Sequence, residues 1–200
     1  QMNPHFIFNC MNTLDSFILQ NRQLEASTLV QRFSKLTRRV LEHTAKTTIS
    51  LAEEFETLRL YLQVEKLRQS NGFDFELQTA PETEHLLLPP MLIQPFVENA
   101  VIHGMRNRKE PGGKVGIYSE KAGNLVKITV EDNGVGRVKA MAIKAAQPNG
   151  HQSLSMELTL SRLEALHGHQ RHQEYLVFTD LTGAQTGTRV DIYIPLKKLN

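Results

Sequence analysis

The sequence has little of what marks secreted, nucleic-acid-binding or membrane-spanning chains. Its single cysteine, Cys10, excludes an intramolecular disulfide and fits a reducing compartment. No apolar run of these 200 residues is long enough to span a bilayer, and none has the pattern of a signal peptide. No long block of like charge occurs, and a formal net charge of +2 is too small to favour nucleic acid as a partner. The 200 residues, 40% hydrophobic and 22% charged, are instead typical of a globular protein with a real core.

The first half of the chain shows helical periodicity. Two apolar stripes with helical spacing are Ile7, Met11, Leu14 and Ile18, and Val30, Phe33, Leu36 and Val40. Joined by a short polar link at 21–25, they predict an antiparallel hairpin whose apolar seam pairs with a second copy of the chain. Pro4 suits a first helical position, or it kinks a helix that continues from an upstream segment. A third helix is predicted from Ser50, where Glu53 completes a capping box.

The second half changes to the two-residue period of strands. The predicted elements are strands at 73–77, 114–119, 125–130, 175–181 and 188–194, helices at 91–103 and 156–166, and a loop at 137–152. Gly104 is interpreted as the C-cap of the 91–103 helix. The predicted fold is therefore α+β: an N-terminal helical hairpin followed by a two-layer α/β sandwich with a mixed, mostly antiparallel sheet.

The stretch most indicative of function is 132–136, Asp-Asn-Gly-Val-Gly, which closes an apolar strand. Asn-Gly after a strand also signals a hairpin turn, and that is the alternative interpretation. The acceptor-only carboxylate of Asp132 suits the exocyclic amine of adenine. Gly134 and Gly136 would let the backbone approach a flat purine. Gly187-Thr188 adds a hydroxyl to the same site, or is ordinary turn chemistry before a strand.

A polar group ends the otherwise apolar helix at 91–103. Glu98 and Asn99 fit a helix rim that meets water, but Asn99 and His103 are four residues apart and share a face. An amide oxygen can ligate Mg²⁺, and an imidazole can donate to a phosphate oxygen. His103 also fits a helix C-terminus, where a cation is favoured.

Five segments together resemble the LytS-type sensor histidine kinases, whose ATP-binding domain has the Bergerat fold of the GHKL ATPases. They are Pro4-His5-Phe6-Ile7-Phe8-Asn9, the run 94–104 (Gln-Pro-Phe-Val-Glu-Asn-Ala-Val-Ile-His-Gly), the run 132–136, Arg162-Leu163, and Gly187-Thr188 with Pro195. The resemblance covers essentially the whole chain in order and spacing.

The resemblance implies two domains. Residues 1–48 would form an N-terminally truncated dimerisation and phosphoacceptor region, and 49–200 the ATP-binding domain. The implied cofactors are ATP and Mg²⁺, and the implied partners are a second copy through the hairpin and a response regulator, whose aspartate receives the phosphoryl group. The chain would be the cytoplasmic region of an inner-membrane sensor, in contact with the membrane only through upstream segments.

The resemblance also implies residue roles. His5 would be the phosphoacceptor, which is chemically reasonable because an unperturbed histidine is roughly three-quarters neutral at pH 7. The remaining implied roles are Mg²⁺ binding by Asn99, phosphate contact by His103, adenine recognition by Asp132, polarisation of His5 or a water by Glu98, and orientation of a water for phosphatase chemistry by Asn9.

One departure from the family pattern favours a second hypothesis. Ser153-Leu154-Ser155 stands where the family usually has Gly-x-Gly before the Arg162-Leu163 helix, so two Cβ atoms would crowd the phosphates. The chain could then be a degenerate kinase-fold module, acting as a dimeric docking scaffold or as a phosphatase with weak nucleotide binding. A GHKL ATPase that only hydrolyses ATP is a third class, but it leaves Pro4-His5-Phe6 unexplained.

Overall fold

The structure is a computed structural model. It describes residues 4–69, 72–108, 110–137, 139–140, 154–168, 175–183 and 186–196. No helix in these ranges is both long enough and apolar enough to cross a membrane.

The predicted N-terminal hairpin is confirmed. Helix α1 (Pro4–Leu19) and helix α2 (Gln23–Thr44) are joined by a tight turn in which Asn21 has a φ of 57°. Ile7, Met11 and Ile18 of the predicted seam are exposed and so remain available to a second copy, whereas Leu36 and Val40 of that seam are buried within the chain. The residues of α1 that are buried instead are Phe6, Cys10 and Phe17.

Aromatic packing explains which face of α1 turns inward. The helix carries apolar residues on two faces, so periodicity alone could not choose between them. The Phe6 ring lies 6.2 Å from the Phe33 ring of α2 and 5.3 Å from that of Tyr61. Rings bury more area than aliphatic side chains, and this favours the aromatic face. The predicted aliphatic seam is left on the surface.

Helix α3 (Leu51–Arg68) begins where the sequence predicted. The Ser50 hydroxyl accepts the N–H of Glu53 at 3.2 Å, and Glu53 Oε2 accepts the N–H of Ser50 at 2.8 Å, which completes the capping box. Most of the helix is buried, since it packs between α2 and the sheet.

The strands form a five-stranded sheet and a small two-stranded one. Their bounds are β1 Ile49–Ser50, β2 Phe73–Thr79, β3 Leu87–Leu88, β4 Gly113–Ala122, β5 Leu125–Asp132, β6 Leu176–Leu181 and β7 Gly187–Pro195. The large sheet has the order β2-β4-β5-β7-β6, with β2 and β4 parallel and the other pairs antiparallel. Strands β1 and β3 pair with each other. The predicted mixed, mostly antiparallel sheet is confirmed.

Two layers enclose the core. Alternate residues of the central strands, such as Val115, Ile128 and Ile192, are fully buried in one cluster with the helices. Helices α4 (Gln94–Asn99) and α5 (Leu154–His167) complete the helical layer. This is the predicted two-layer α+β sandwich of Bergerat type that follows a helical hairpin.

The helix predicted at 91–103 differs in both bounds. It begins only at Gln94, because Met91 has a φ of 60° and breaks the helical path. It does not end at Gly104 but continues from Ala100 to Met105 as a π-helix, and Arg106 N–H bonds Val101 O at 3.0 Å. Gly104 is therefore not a C-cap. Inserted π-turns are frequent at functional sites.

Candidate active site

Strand parity places Asp132 inside the molecule. Val126, Ile128 and Val130 of β5 are buried, and Asp132 is the next residue of that set, only 5% exposed. Its Oδ1 accepts the N–H of Gly134 at 2.8 Å. Burial raises the pKa of Asp132 to about 6, although the N–H groups of Gly134 and Thr188 oppose the shift. The carboxyl is thus ionised at neutral pH and acts only as an acceptor.

Three glycines pack around Asp132. A Cβ on Gly104 would lie 2.7 Å from Asp132 Oδ1, and one on Gly134 would lie 2.5 Å from Gly104 Cα. A Cβ on Gly187 would lie 1.9 Å from Asp132 O. These approaches are closer than any side chain permits, so each position requires glycine. The sequence predicted Gly134 and Gly187 as site residues but missed Gly104.

The stretch 132–136 is not a hairpin turn. Strand β5 already pairs with β4 and β7, and Asn133 Oδ1 accepts the N–H of Lys114 at 2.6 Å. Gly136 has a φ of 77°, a left-handed conformation that glycine adopts without strain. Thr188 is the direct partner of Asp132 across the β5–β7 ladder. The predicted residues 132–136 and 187–188 therefore lie at one end of the sheet.

Glu98 and Asn99 are half-buried at the point where α4 becomes the π-helix. Glu98 Oε1 accepts a bond from Gln94 Nε2 at 2.9 Å, and burial raises the pKa of Glu98. His103 is half-buried within the π-helix, which also supplies Gly104 to the Asp132 pocket. The structure therefore joins the Asn99–His103 segment to the Asp132 site through Gly104.

His5 and Asn9 lie together on α1, as predicted. His5 is exposed, and Asn9 Nδ2 lies 2.9 Å from His5 Nδ1 and 3.4 Å from Nε2. An amide at this distance distinguishes one ring nitrogen from the other and can fix the tautomer. The neighbouring Phe6 packs on Tyr61, whose pKa is raised by burial and then by the charges of Glu65 and Glu98. The end of α1 that carries His5 therefore packs against α3 through the Phe6–Tyr61 contact, within reach of the Glu98 charge.

Sequence reasoning also missed Glu54. This carboxylate is 1% exposed, and its oxygens accept the N–H groups of Met91 at 2.9 Å and Ile93 at 3.1 Å. It thereby holds the turn that precedes α4, while Arg162 Nη1 of α5 bonds Pro90 O in the same turn at 3.2 Å. The only available signal was a second glutamate beside the capping residue.

Two predicted features fall outside the described residues. Of the loop predicted at 137–152, residues 137 and 139–140 are helical and 141–152 lie outside the described residues. Ser153 and the side chains of Leu154 and Ser155 are not described either, although α5 begins at Leu154. Within the described ranges, no cluster of three or more His, Cys, Asp or Glu side chains could hold a metal ion. An Asn99 site would thus depend on one protein amide together with phosphate and water oxygens, as magnesium–nucleotide sites commonly do.

Comparison with known proteins decides the family. A family model for histidine kinases matches residues 1–73. The sensor histidine kinase/phosphatase LytS of Staphylococcus aureus strain MW2 is 35% identical over 137 residues, 68% of this chain and 23% of that protein. The chain belongs to the LytS-type histidine kinases. The sensor histidine kinase YesM of Bacillus subtilis is 28% identical over 204 residues, which cover 98% of this chain and 32% of YesM. The sensor histidine kinase BtsS of Shigella flexneri is 35% identical over 133 residues, 66% of this chain and 23% of that protein.

Solved structures agree on the fold. The histidine kinase domain of the blue-light-activated histidine kinase from Erythrobacter litoralis EL346 superposes with a TM-score of 0.54 at 16% identity. The match covers 96% of this chain and 93% of that domain's chain. A bacterial phosphotransferase matches 94% and 88%, with a TM-score of 0.52 at 13% identity. The chain spans between 23% and 32% of the length of the LytS, YesM and BtsS relatives.

Proposed function

We propose that this chain is the kinase region of a two-component sensor, which transfers the γ-phosphoryl group of ATP to His5 and then to an aspartate of a response regulator. The observation that carries the proposal is the buried Asp132, enclosed by Gly104, Gly134 and Gly187 beside the Asn99 helix. Residues 1–48 would serve dimerisation and phosphoryl acceptance, and 49–200 nucleotide binding.

Asp132 is the proposed adenine reader. Its ionised carboxylate accepts from the exocyclic amine, while the N–H groups of Gly134 and Thr188 fix its orientation. Gly136, where an added Cβ would meet no atom closer than 3.8 Å, leaves room for the purine to approach the backbone, and the Thr188 hydroxyl adds a polar contact.

The α4–π-helix segment is the proposed phosphate end of the site. The amide oxygen of Asn99 would ligate Mg²⁺, whose charge neutralises the phosphates, and His103 would contact a phosphate oxygen. Glu98 would polarise His5 or a water, since burial already raises its pKa and favours proton uptake.

His5 supplies the nucleophile. A lone pair on its ring nitrogen forms the bond to the γ-phosphorus, while the bond from phosphorus to the β,γ-bridging oxygen breaks and ADP leaves with that electron pair. Asn9, within hydrogen-bond distance of the ring, fixes the tautomer, and in the phosphatase direction it would orient a water.

The hairpin is the proposed dimer surface. Apolar side chains that α1 and α2 leave exposed are Ile7, Phe8, Met11, Ile18, Leu19, Leu24, Val30 and Leu41. Exposed apolar side chains that share a helical hairpin are typical of a protein interface, and a second copy presents the same surface. In the whole protein, we propose, the region is cytoplasmic and reaches the membrane through upstream segments.

Acid-labile labelling tests the kinase proposal. We expect γ-labelled ATP with Mg²⁺ to label the wild type, and His5→Ala to abolish the label because the imidazole of His5 is the proposed acceptor. The matched control is His85→Ala, which removes another exposed histidine and should label normally. Normal labelling of His5→Ala would refute His5 as the acceptor.

The scaffold hypothesis rests on Ser153-Leu154-Ser155 in place of Gly-x-Gly. Calorimetry with a nonhydrolysable ATP analogue separates the two functions. A dissociation constant below about 1 mM, which corresponds to a binding free energy stronger than roughly −4 kcal/mol, supports the kinase. No detectable heat at millimolar ligand supports the scaffold or phosphatase.

A further inference from the structure

A buried ion network connects the helix that carries His5 to the segment that carries Asn99. Glu65 on α3 is 1% exposed, and its two oxygens bond different arginines. Oε1 lies 2.5 Å from Arg68 Nη1, and Oε2 lies 3.4 Å from Arg106 Nη2. Arg68 is one turn further along α3, whereas Arg106 directly follows the π-helix. The carboxylate therefore bridges two elements of the ATP-binding layer.

Arg68 extends the network to α1. Its guanidinium carbon lies 5.3 Å from the centre of the Phe6 ring, the residue next to His5. Its charge also lowers the pKa of the Cys10 thiol, which burial nevertheless raises to about 11. Only 6% of the Arg68 side chain is exposed, so the guanidinium is enclosed between α3 and the first two turns of α1.

Burial makes this arrangement specific. An exposed ion pair tolerates many geometries because water screens each charge, but a buried carboxylate oxygen that loses its arginine loses a bond that water does not readily replace. Glu65 is therefore held to both partners at once. Movement of the π-helix relative to α1 would have to break the Glu65–Arg106 bond or the contact between Arg68 and the Phe6 ring.

We propose that Glu65, together with Arg68 and Arg106, is a positioning residue for phosphoryl transfer. The network fixes the acceptor end of α1, and with it His5, relative to the segment that holds Asn99. This inference rests on the proposed kinase function. Loss of the network should therefore affect nucleotide affinity and the rate of phosphoryl transfer differently. Affinity depends on the Asp132 pocket, whereas the rate depends also on where α1 lies.

The test compares Glu65→Gln with the wild type. Glutamine keeps the size of the side chain but removes the charge. We expect the single-turnover rate of His5 labelling to fall by about tenfold or more, as small misplacements of reacting groups do, while the dissociation constant of an ATP analogue stays within about threefold. The matched control is Glu56→Gln on the same helix, whose pair with Arg59 at 3.4 Å is exposed, and whose labelling rate should not change.

Arg106 provides a second variant at the less buried edge of the network, where 28% of the side chain is exposed. Arg106→Ala should slow labelling as Glu65→Gln does, and Arg106→Lys should recover most of the rate because the charge returns. Equal labelling rates in wild type, Glu65→Gln and Arg106→Ala would overturn the inference and leave the kinase function standing. Absence of label from the wild type would overturn both.

Discussion

Asp132 is a carboxylate whose titration lies close to the physiological range. Burial pushes the pKa of this group up from 3.8 to about 6, and only two backbone N–H groups counteract the burial. A protonated carboxyl gives up acceptor capacity that the proposed recognition of adenine requires. The protonation state of one residue should therefore control nucleotide affinity.

We predict that nucleotide binding weakens as the pH falls below about 6. Each further pH unit reduces the ionised fraction of Asp132, and with it the affinity, by about tenfold. Isothermal titration with a nonhydrolysable ATP analogue between pH 5 and 8 measures this. Asp132→Asn is the control. The ratio of its dissociation constant to that of the wild type at each pH cancels the effect of phosphate titration, which both proteins share. A ratio that stays constant across this range would contradict the assignment of Asp132.

At this scale the sequence predicts groups that act locally and misses groups defined by distant contacts. Asp132, Gly134 and Gly187 stand in short motifs, and the structure brings them together. Glycine is required at position 104 by the side chain of Asp132, 28 residues further along the chain, and no local sequence pattern predicts this contact. Glu54 similarly bonds N–H groups of 91 and 93, on a turn that no pattern in α3 indicates.

Among the elements, the turn before α4 depends most on a single side chain. Met91 has a left-handed backbone, and the two bonds from Glu54 hold that turn in place. Burial raises the pKa of Glu54 from 4.5 to about 7, in spite of its backbone bonds. The folded state therefore binds a proton at a pH where the unfolded chain has released it.

The second prediction concerns how the free energy of unfolding of Glu54→Gln, relative to wild type, changes with pH. The folded pKa is raised, so the contribution of Glu54 is fully present below pH 4.5 and is lost as the pH rises through about 7. The free energy of unfolding of Glu54→Gln relative to wild type should rise over this window by up to about 3 kcal/mol. Urea titrations at each pH measure the difference.

Glu53→Gln is the matched control on the same helix. The bonds from Ser50 N–H and Lys46 lower the pKa of Glu53 to about 2, so its contribution is lost only as the pH falls below 4.5. Its difference from wild type should stay flat between pH 4.5 and 7. A flat profile for Glu54→Gln as well would show that Glu54 does not titrate there.

Helical periodicity predicted where the helices lie better than which face they bury. The capping box fixed the start of α3 because both of its residues are local. The inward face of α1 depends on rings supplied by Phe33 and Tyr61, in other helices. The π-helix from Ala100 to Met105 was not predicted, since the sequence offered only an α-helix over 91–103 that ended at Gly104.

For the whole molecule, the alternation of helical and strand periods was enough to predict the α+β class and the two layers. The parallel pairing of β2 with β4 was not predictable, because it depends on a long connection that contains β3 and α4. A single chain leaves exposed most of the α1 part of the seam that the sequence assigned to a second copy, together with Val30 of α2.

Dimerisation should therefore depend on that seam. Ile18 is 58% exposed, and Ile18→Asp would place a charge in the apolar interface. We expect the dimer dissociation constant, measured by sedimentation equilibrium, to rise by about tenfold or more, because burying one aliphatic side chain contributes about 1.5–3 kcal/mol. Leu87→Asp alters an exposed residue of β3 (42%) and should leave association unchanged. Equal self-association of Ile18→Asp and wild type would exclude this surface.

The most direct test of the whole account is a crystal structure with Mg²⁺ and a nonhydrolysable ATP analogue. We predict that the adenine amine donates to Asp132 at a hydrogen-bond distance of about 2.9 Å, with the purine over Gly134 and Gly136. The metal should contact the Asn99 amide oxygen at about 2.1 Å, with the γ-phosphate directed toward the helix that carries His5. An analogue bound away from Asp132, or a metal without Asn99, would contradict the account.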